Sequence, residues 1–101
     1  MHIRVLYPVV LYKSISNNLQ MAKPSAKHAG NPALIRIGKT IRKIRADRKI
    51  SQEALAYEAG IDRSYMGGIE RGEHNITIIN LMKVASQLDI KLSKLLEKAD
   101  L

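Results

Sequence analysis

The feature that most constrains this chain is a pair of short helical segments that meet at one glycine, within residues 52–71. Leu55, Ala56 and Ala59 give the first segment an apolar face, Gly60 permits a left-handed turn, and Ile61 follows as a plug for the corner. Asp62 stands where a second helix needs an N-cap, and Met66 and Ile69 recur three residues apart as its buried positions. The small side chain of Ala56 lets the two segments cross closely, where a larger one would hold them apart.

Two short helices bent at a glycine form the pattern of a helix-turn-helix, a motif whose second helix enters the DNA major groove. Charge points the same way. The chain carries +8 overall, and residues 36–49 hold Arg36, Lys39, Arg42, Lys43, Arg45, Arg48 and Lys49 against Asp47, a local +6. Residues 1–30 add Arg4, Lys13, Lys23 and Lys27, whereas residues 50–101 are net −2. A positive field gathered into one helix and a leading arm favours a polyanion, either nucleic acid or an anionic membrane surface. The alternative is an ordinary solvated helix face. The motif beside it favours double-stranded DNA, and a membrane is disfavoured because the core needs the apolar side of the same helix.

No apolar run approaches the ~20 residues needed to span a bilayer. Residues 1–12 are apolar, but Pro8 and Arg4 interrupt them and no small-residue cleavage site follows closely, so a signal peptide is rejected. Val5, Tyr7, Val9 and Val10 instead favour a strand. Residues 13–33 have the composition of a linker, and Met21 offers a second place for translation to start. From Leu34 onward the pattern is helical. Leu34, Ile37, Ile41 and Ile44 form one stripe, Ser51 caps the next helix, and Gly72 ends the third. Thr77 caps a fourth helix with Ile78, Leu81, Met82, Ala85 and Leu88 expected inward, and a fifth starts near Leu92 with Leu95 and Leu96 apolar. The expected fold is all-α: a compact five-helix domain over residues 34–101, preceded by an irregular, partly flexible extension over residues 1–33.

With no cysteine there is no disulfide or thiolate site, which suits a reducing cytoplasm. His2, His28 and His74 lack metal-ligand spacing and are expected in solvent, so neither a metal nor a cofactor is expected. Asn75-Ile76-Thr77 fits the glycosylation sequon by chance, and no Ser-His-Asp set, paired carboxylates or phosphate-cradling loop is present. The chain is not expected to be an enzyme.

Over residues 37–96 the sequence resembles the phage-repressor-like (lambda repressor/Cro-type) helix-turn-helix family. The likeness is carried by Ile41-Arg42-Lys43-Ile44-Arg45, Ser51-Gln52-Glu53-Ala54-Leu55-Ala56, the Gly60-Ile61 turn, Ile69-Glu70-Arg71-Gly72 and Leu81-Met82-Lys83-Val84-Ala85. Arg63-Ser64-Tyr65-Met66 and Asn75-Ile76-Thr77-Ile78-Ile79-Asn80 are similar to the controller proteins of restriction-modification systems. The resemblance implies a five-helix lambda-repressor-like domain that binds operators as a symmetric dimer. It implies that Gln52, Arg71 and Asn75, with Arg42 of the basic helix, meet DNA phosphates, and that Arg45 and Glu70 form a structural salt bridge. It also implies that Arg63, Ser64, Gly67 and Gly68 face base edges, with Tyr65 nearby.

Arg63 can pair bidentately with guanine, or else hold a phosphate. Ser64 can read a base or cap its own helix, and Tyr65 can lay its ring on a sugar or thymine methyl or flank the core. The departure from the family pattern is Gly67-Gly68, expected on the outer face. There the pair costs roughly 1 kcal/mol per residue against alanine and removes two reading side chains. Close backbone approach to DNA, relaxed specificity and local flexibility each explain it.

The expected function is a sequence-specific transcriptional regulator, a homodimer on a pseudo-palindromic operator that regulates its own expression. Ile79, Leu92, Leu96 and Leu101 are the candidate dimer patch. The alternative is an antitoxin that neutralises a protein partner, adding residues 3–12 to it as a strand.

Overall fold

Helix starts are set by side chains that take backbone N–H groups otherwise left unpaired. In the computed structural model, which describes residues 23–101, Asn31 Oδ1 accepts from the Ala33 N–H at 2.8 Å and opens α1 (Pro32–Asp47), with proline at the first helical position. Ser51 Oγ accepts from the Ala54 N–H at 3.0 Å ahead of α2 (Gln52–Ala59). Thr77 Oγ1 accepts from the Asn80 N–H at 3.1 Å ahead of α4 (Ile78–Gln87). Asp62 precedes α3 (Arg63–Glu70) without capping it, because its carboxylate accepts from the Ser64 hydroxyl instead. Lys91 precedes α5 (Leu92–Lys98). Among the described residues there are five helices and no strand, as expected.

The corner between α2 and α3 is built as expected from sequence. Gly60 sits at φ 70°, and the Ile61 N–H returns to the Ala56 carbonyl at 2.8 Å. Ile61 and Ala56 are both buried, so the helices meet through a small residue and a corner plug. Around this pair, α1 crosses α3 and α5, while α4 packs on α2 and α5. The core is aliphatic. Ile41, Leu55, Met66, Val84, Leu88 and Leu95, one or two from each helix or its end, are its largest fully buried side chains.

Two expectations change, and one falls outside the described residues. First, α1 begins at Pro32, and the residues just before it are tied down. The Gly30 N–H donates to the Gly72 carbonyl at 2.9 Å and the Ser25 N–H to the Glu73 carbonyl at 2.7 Å. Second, the strand expected in residues 3–12 lies outside the described residues. Third, Ile78 and Met82 do not face inward but are 59% and 50% exposed. At 100° per residue, Leu81, Val84, Ala85 and Leu88 define one narrow face, Ile78 and Met82 fall to its side, and Ile79 lies opposite.

Gly38 carries a constraint that the sequence reading did not single out. It is buried in the middle of α1, and a Cβ there would overlap the Ile69 carbonyl oxygen and lie 2.5 Å from that of Glu70. The end of α3 therefore rests directly on the α1 backbone. Gly38→Ala should destabilise the domain by about 1–3 kcal/mol, an overpacking cost that outweighs alanine's better helix propensity. Urea unfolding of the two proteins measures it, and an unchanged or raised midpoint would contradict the close approach.

Candidate nucleic-acid interface

The site grows from one buried ion pair. Arg45, in the last turn of α1, donates from Nε to Glu70 Oε2 at 2.7 Å and from Nη2 to Oε1 at 3.0 Å. Its remaining Nη1 donates to the Ile50 carbonyl at 2.9 Å. The side chains are 15% and 3% exposed, so each charge depends on the other. The hydrogen bond from Arg45 to Glu70 raises the guanidinium further above its already high ordinary value. Gln52, the first residue of α2, donates from Nε2 to Glu70 Oε1 at 3.0 Å, and its Oε1 accepts from Arg63 Nη1 at 3.4 Å. A chain of polar contacts thus runs from the core to the first residue of α3.

At that end of α3, Arg63 and Ser64 are exposed and Tyr65 is half-buried. Arg42 on α1 and Asn75 after α3 are also exposed. Arg71 is engaged: Nε donates to Glu73 Oε2 at 2.8 Å and Nη2 to Oε1 at 3.2 Å, which holds the Glu73 carboxyl below its ordinary value. Gln52, Arg63 and Glu70 are brought together; Arg42 and Asn75 belong to other elements. Among the described residues no group of three His, Cys, Asp or Glu side chains is placed to hold a metal ion.

The glycine pair and His74 are placed differently from the expectation. Gly67 and Gly68 are buried, not on an open outer face. A Cβ on Gly67 would lie 3.0 Å from Arg71 Nη1 and 3.4 Å from Gln52 Oε1, so two polar side chains cover it. A Cβ on Gly68 would overlap the His74 ring. His74, expected in solvent, is 7% exposed and stacks on Tyr65 with centroids 4.5 Å apart. Burial lowers the imidazole below its ordinary value of 6.5, an effect that Glu73 opposes and Arg71 reinforces. Only the glycine at 68 hinted at this in the sequence, and nothing local names its partner six residues on.

Of the candidate dimer patch, Ile79 and Leu101 stand open at 62% and 55% exposure, while Leu92 and Leu96 are half-buried against the core. Ile78 and Met82 join the open side chains.

A short helix exposed at its start, held at a fixed corner to its predecessor and backed by a basic first helix, defines a helix-turn-helix protein. The chain belongs to the helix-turn-helix family, whose model matches residues 41–95, a family of DNA-binding transcriptional regulators. Among its relatives, the control protein C.MunI of a Mycoplasma species is 38% identical over 66 residues, covering 64% of this chain and 89% of that one. The restriction-modification controller protein C.AhdI of Aeromonas hydrophila, 44% identical, superposes with a TM-score of 0.60 over 61% of this chain and 94% of its own. C.Esp1396I bound to a 19 base pair DNA duplex is 35% identical, with a TM-score of 0.61 over 68% of this chain and 96% of its own.

Two outcomes follow from this geometry. Glu70→Ala should cost roughly 3 kcal/mol or more in chemical unfolding, because Arg45 is left with an unpaired, largely buried charge; a loss below about 1 kcal/mol would mean the pair is dispensable. The second concerns pH. Since the unfolded chain takes up the His74 proton more readily, this contribution to stability is present above pH 6.5 and is lost as pH falls below it. The melting temperature should therefore drop between pH 7.5 and 5.5, and less steeply in His74→Phe. Parallel curves would place the acid sensitivity elsewhere.

Proposed function

We propose that this protein is a sequence-specific transcriptional regulator that binds a pseudo-palindromic operator as a homodimer and regulates its own expression. The observation that carries this reading is the exposed start of α3, where Arg63 is tied through Gln52 to the buried Glu70. A base-reading arginine gains from such anchoring, since a preset side chain loses less freedom on binding. In this reading Arg63, Ser64 and Tyr65 face base edges, and Gln52, Arg42 and Asn75 follow the phosphates. The exposed Arg71 reaches phosphate by exchanging its half-buried Glu73 partner, while Gly67 and Gly68 act as packing positions. C.Esp1396I, a relative of the same fold solved on duplex DNA, supports the reading.

A dimer would set the two α3 helices about one DNA turn, ~34 Å, apart. Ile79 and Leu101, with the open Ile78 and Met82 and the half-buried Leu92 and Leu96, are the apolar side chains available for it. The protein works in the cytoplasm, where such an operator lies, and takes no cofactor. The antitoxin alternative leaned on residues 3–12, which lie outside the described residues, and no observation favours it.

Fluorescence anisotropy tests the proposal, with the protein titrated onto its own upstream DNA and onto scrambled DNA across a salt series. The expected result is tighter binding to the upstream fragment at two chains per duplex, with Arg63→Ala losing about 5- to 150-fold on that fragment alone, the range of one bidentate base contact. Equal and steeply salt-dependent binding to both fragments would reduce the interaction to phosphate attraction and overturn the reading.

A further inference from the structure

Gly68 and His74 take no direct part in the contacts proposed above, yet they are fitted to each other. His74 follows the turn made by Gly72, whose φ is 75°. The Glu73 N–H donates back to the Gly68 carbonyl at 2.9 Å, which folds the loop against the end of α3. The His74 ring then fills the space that any side chain at position 68 would need. Its Nε2 is buried and has no hydrogen-bond partner among the described residues. A buried nitrogen without a partner costs more than carbon in the same place, so packing alone does not favour histidine. Its other face is where a role is visible. The imidazole stacks on Tyr65 at a 28° interplanar angle, and Tyr65 is the half-buried residue directly after Arg63 and Ser64.

We infer that His74 is a positioning residue for DNA reading: seated in the notch of Gly68, its ring backs Tyr65 and fixes the direction in which that ring and its hydroxyl meet the DNA. This rests on the proposed regulator function and adds to it a specificity-determining residue that does not itself touch a base. The notch has to be glycine because the ring occupies it. The ring is aromatic because a planar partner holds Tyr65 in one orientation, where an aliphatic one leaves it free to turn. The unpaired Nε2 lies against Gly68, the nearest atom to the place that a Cβ there would take.

The test uses the full chain and the upstream and scrambled fragments. Wild type, His74→Ala, His74→Leu, His74→Phe, Tyr65→Ala and the double variant Tyr65→Ala/His74→Ala are compared, with melting temperatures recorded for all. His74→Leu keeps the space filled and separates loss of the aromatic face from loss of folding. Expected are a roughly three- to tenfold drop in the upstream-over-scrambled ratio for His74→Ala and His74→Leu, recovery to about twofold of wild type in His74→Phe, and no further drop when His74→Ala is added to Tyr65→Ala. Equal weakening on both fragments, or the same drop in the Tyr65→Ala background, would overturn the inference, the latter by making His74 a direct contact. A wild-type protein with no preference for its upstream fragment would overturn the regulator reading itself. In that case Gly68→Ala still reports on the packing, lowering the melting temperature with His74 present and not in the His74→Ala chain.

Discussion

Glu70 closes α3 with its side chain almost wholly buried, and Arg45 reaches it from α1 through two nitrogens. The same guanidinium holds the Ile50 carbonyl, and the same carboxylate accepts from Gln52 at the start of α2. One pair of charges therefore ties three helices at fixed mutual positions. Buried ion pairs add little net stability over apolar packing, but their geometry tolerates little displacement, since any shift strands a charge. What this pair contributes is angular definition. The corner at Gly60 allows α2 and α3 their mutual angle, and the Arg45–Glu70 contact selects where that unit sits on α1.

The back of α3 is held by absences of side chain as much as by contacts. Gly38 lets the Ile69 and Glu70 carbonyls rest on the α1 backbone. Gly72 turns the chain at positive φ while passing within van der Waals reach of Ile35, and Gly68 receives His74. A helix of eight residues has too few internal hydrogen bonds to be stable alone, so this one is defined by its seat. Two glycines inside it would weaken an isolated helix. Within the fold Gly68 receives the His74 ring and Gly67 lies under the Arg71 and Gln52 side chains, so their propensity cost is tolerated.

Much of this was legible from local signals. Ser51 and Thr77 announce helix starts through their hydroxyls, and Gly60 marks the corner. The α1 stripe of Ile37, Ile41 and Ile44 gives its buried side directly. The phase of α4 was harder, because Ile78, Ile79, Leu81 and Met82 are four apolar residues within five positions. Periodicity alone does not choose among them; packing on α2 and α5 does, through Leu81, Val84, Ala85 and Leu88. The burial of His74 and of the two glycines is hidden from the sequence for the same reason. A glycine's neighbour and a histidine's burial are set by chain segments folded back from several or many residues away, and no local pattern encodes them.

The α4 phase has a consequence for assembly. Had Ile78 and Met82 turned inward, the start of α4 would show Ile79 alone, too little apolar surface to hold a second chain. Turned outward, Ile78, Ile79 and Met82 make a continuous apolar edge immediately after the Thr77 cap. Two residues before that cap lies Asn75, proposed to follow the phosphates, and one residue earlier lies His74, behind Tyr65. The proposed dimer surface and the proposed DNA-facing loop are thus joined by a few residues of capped chain. In that arrangement, the contact that sets the distance between two subunits also sets the register of their reading helices, because only a few residues of capped chain separate the two. A fragment with the wrong half-site spacing would then be disfavoured by the rigidity of this junction as well as by the loss of base contacts.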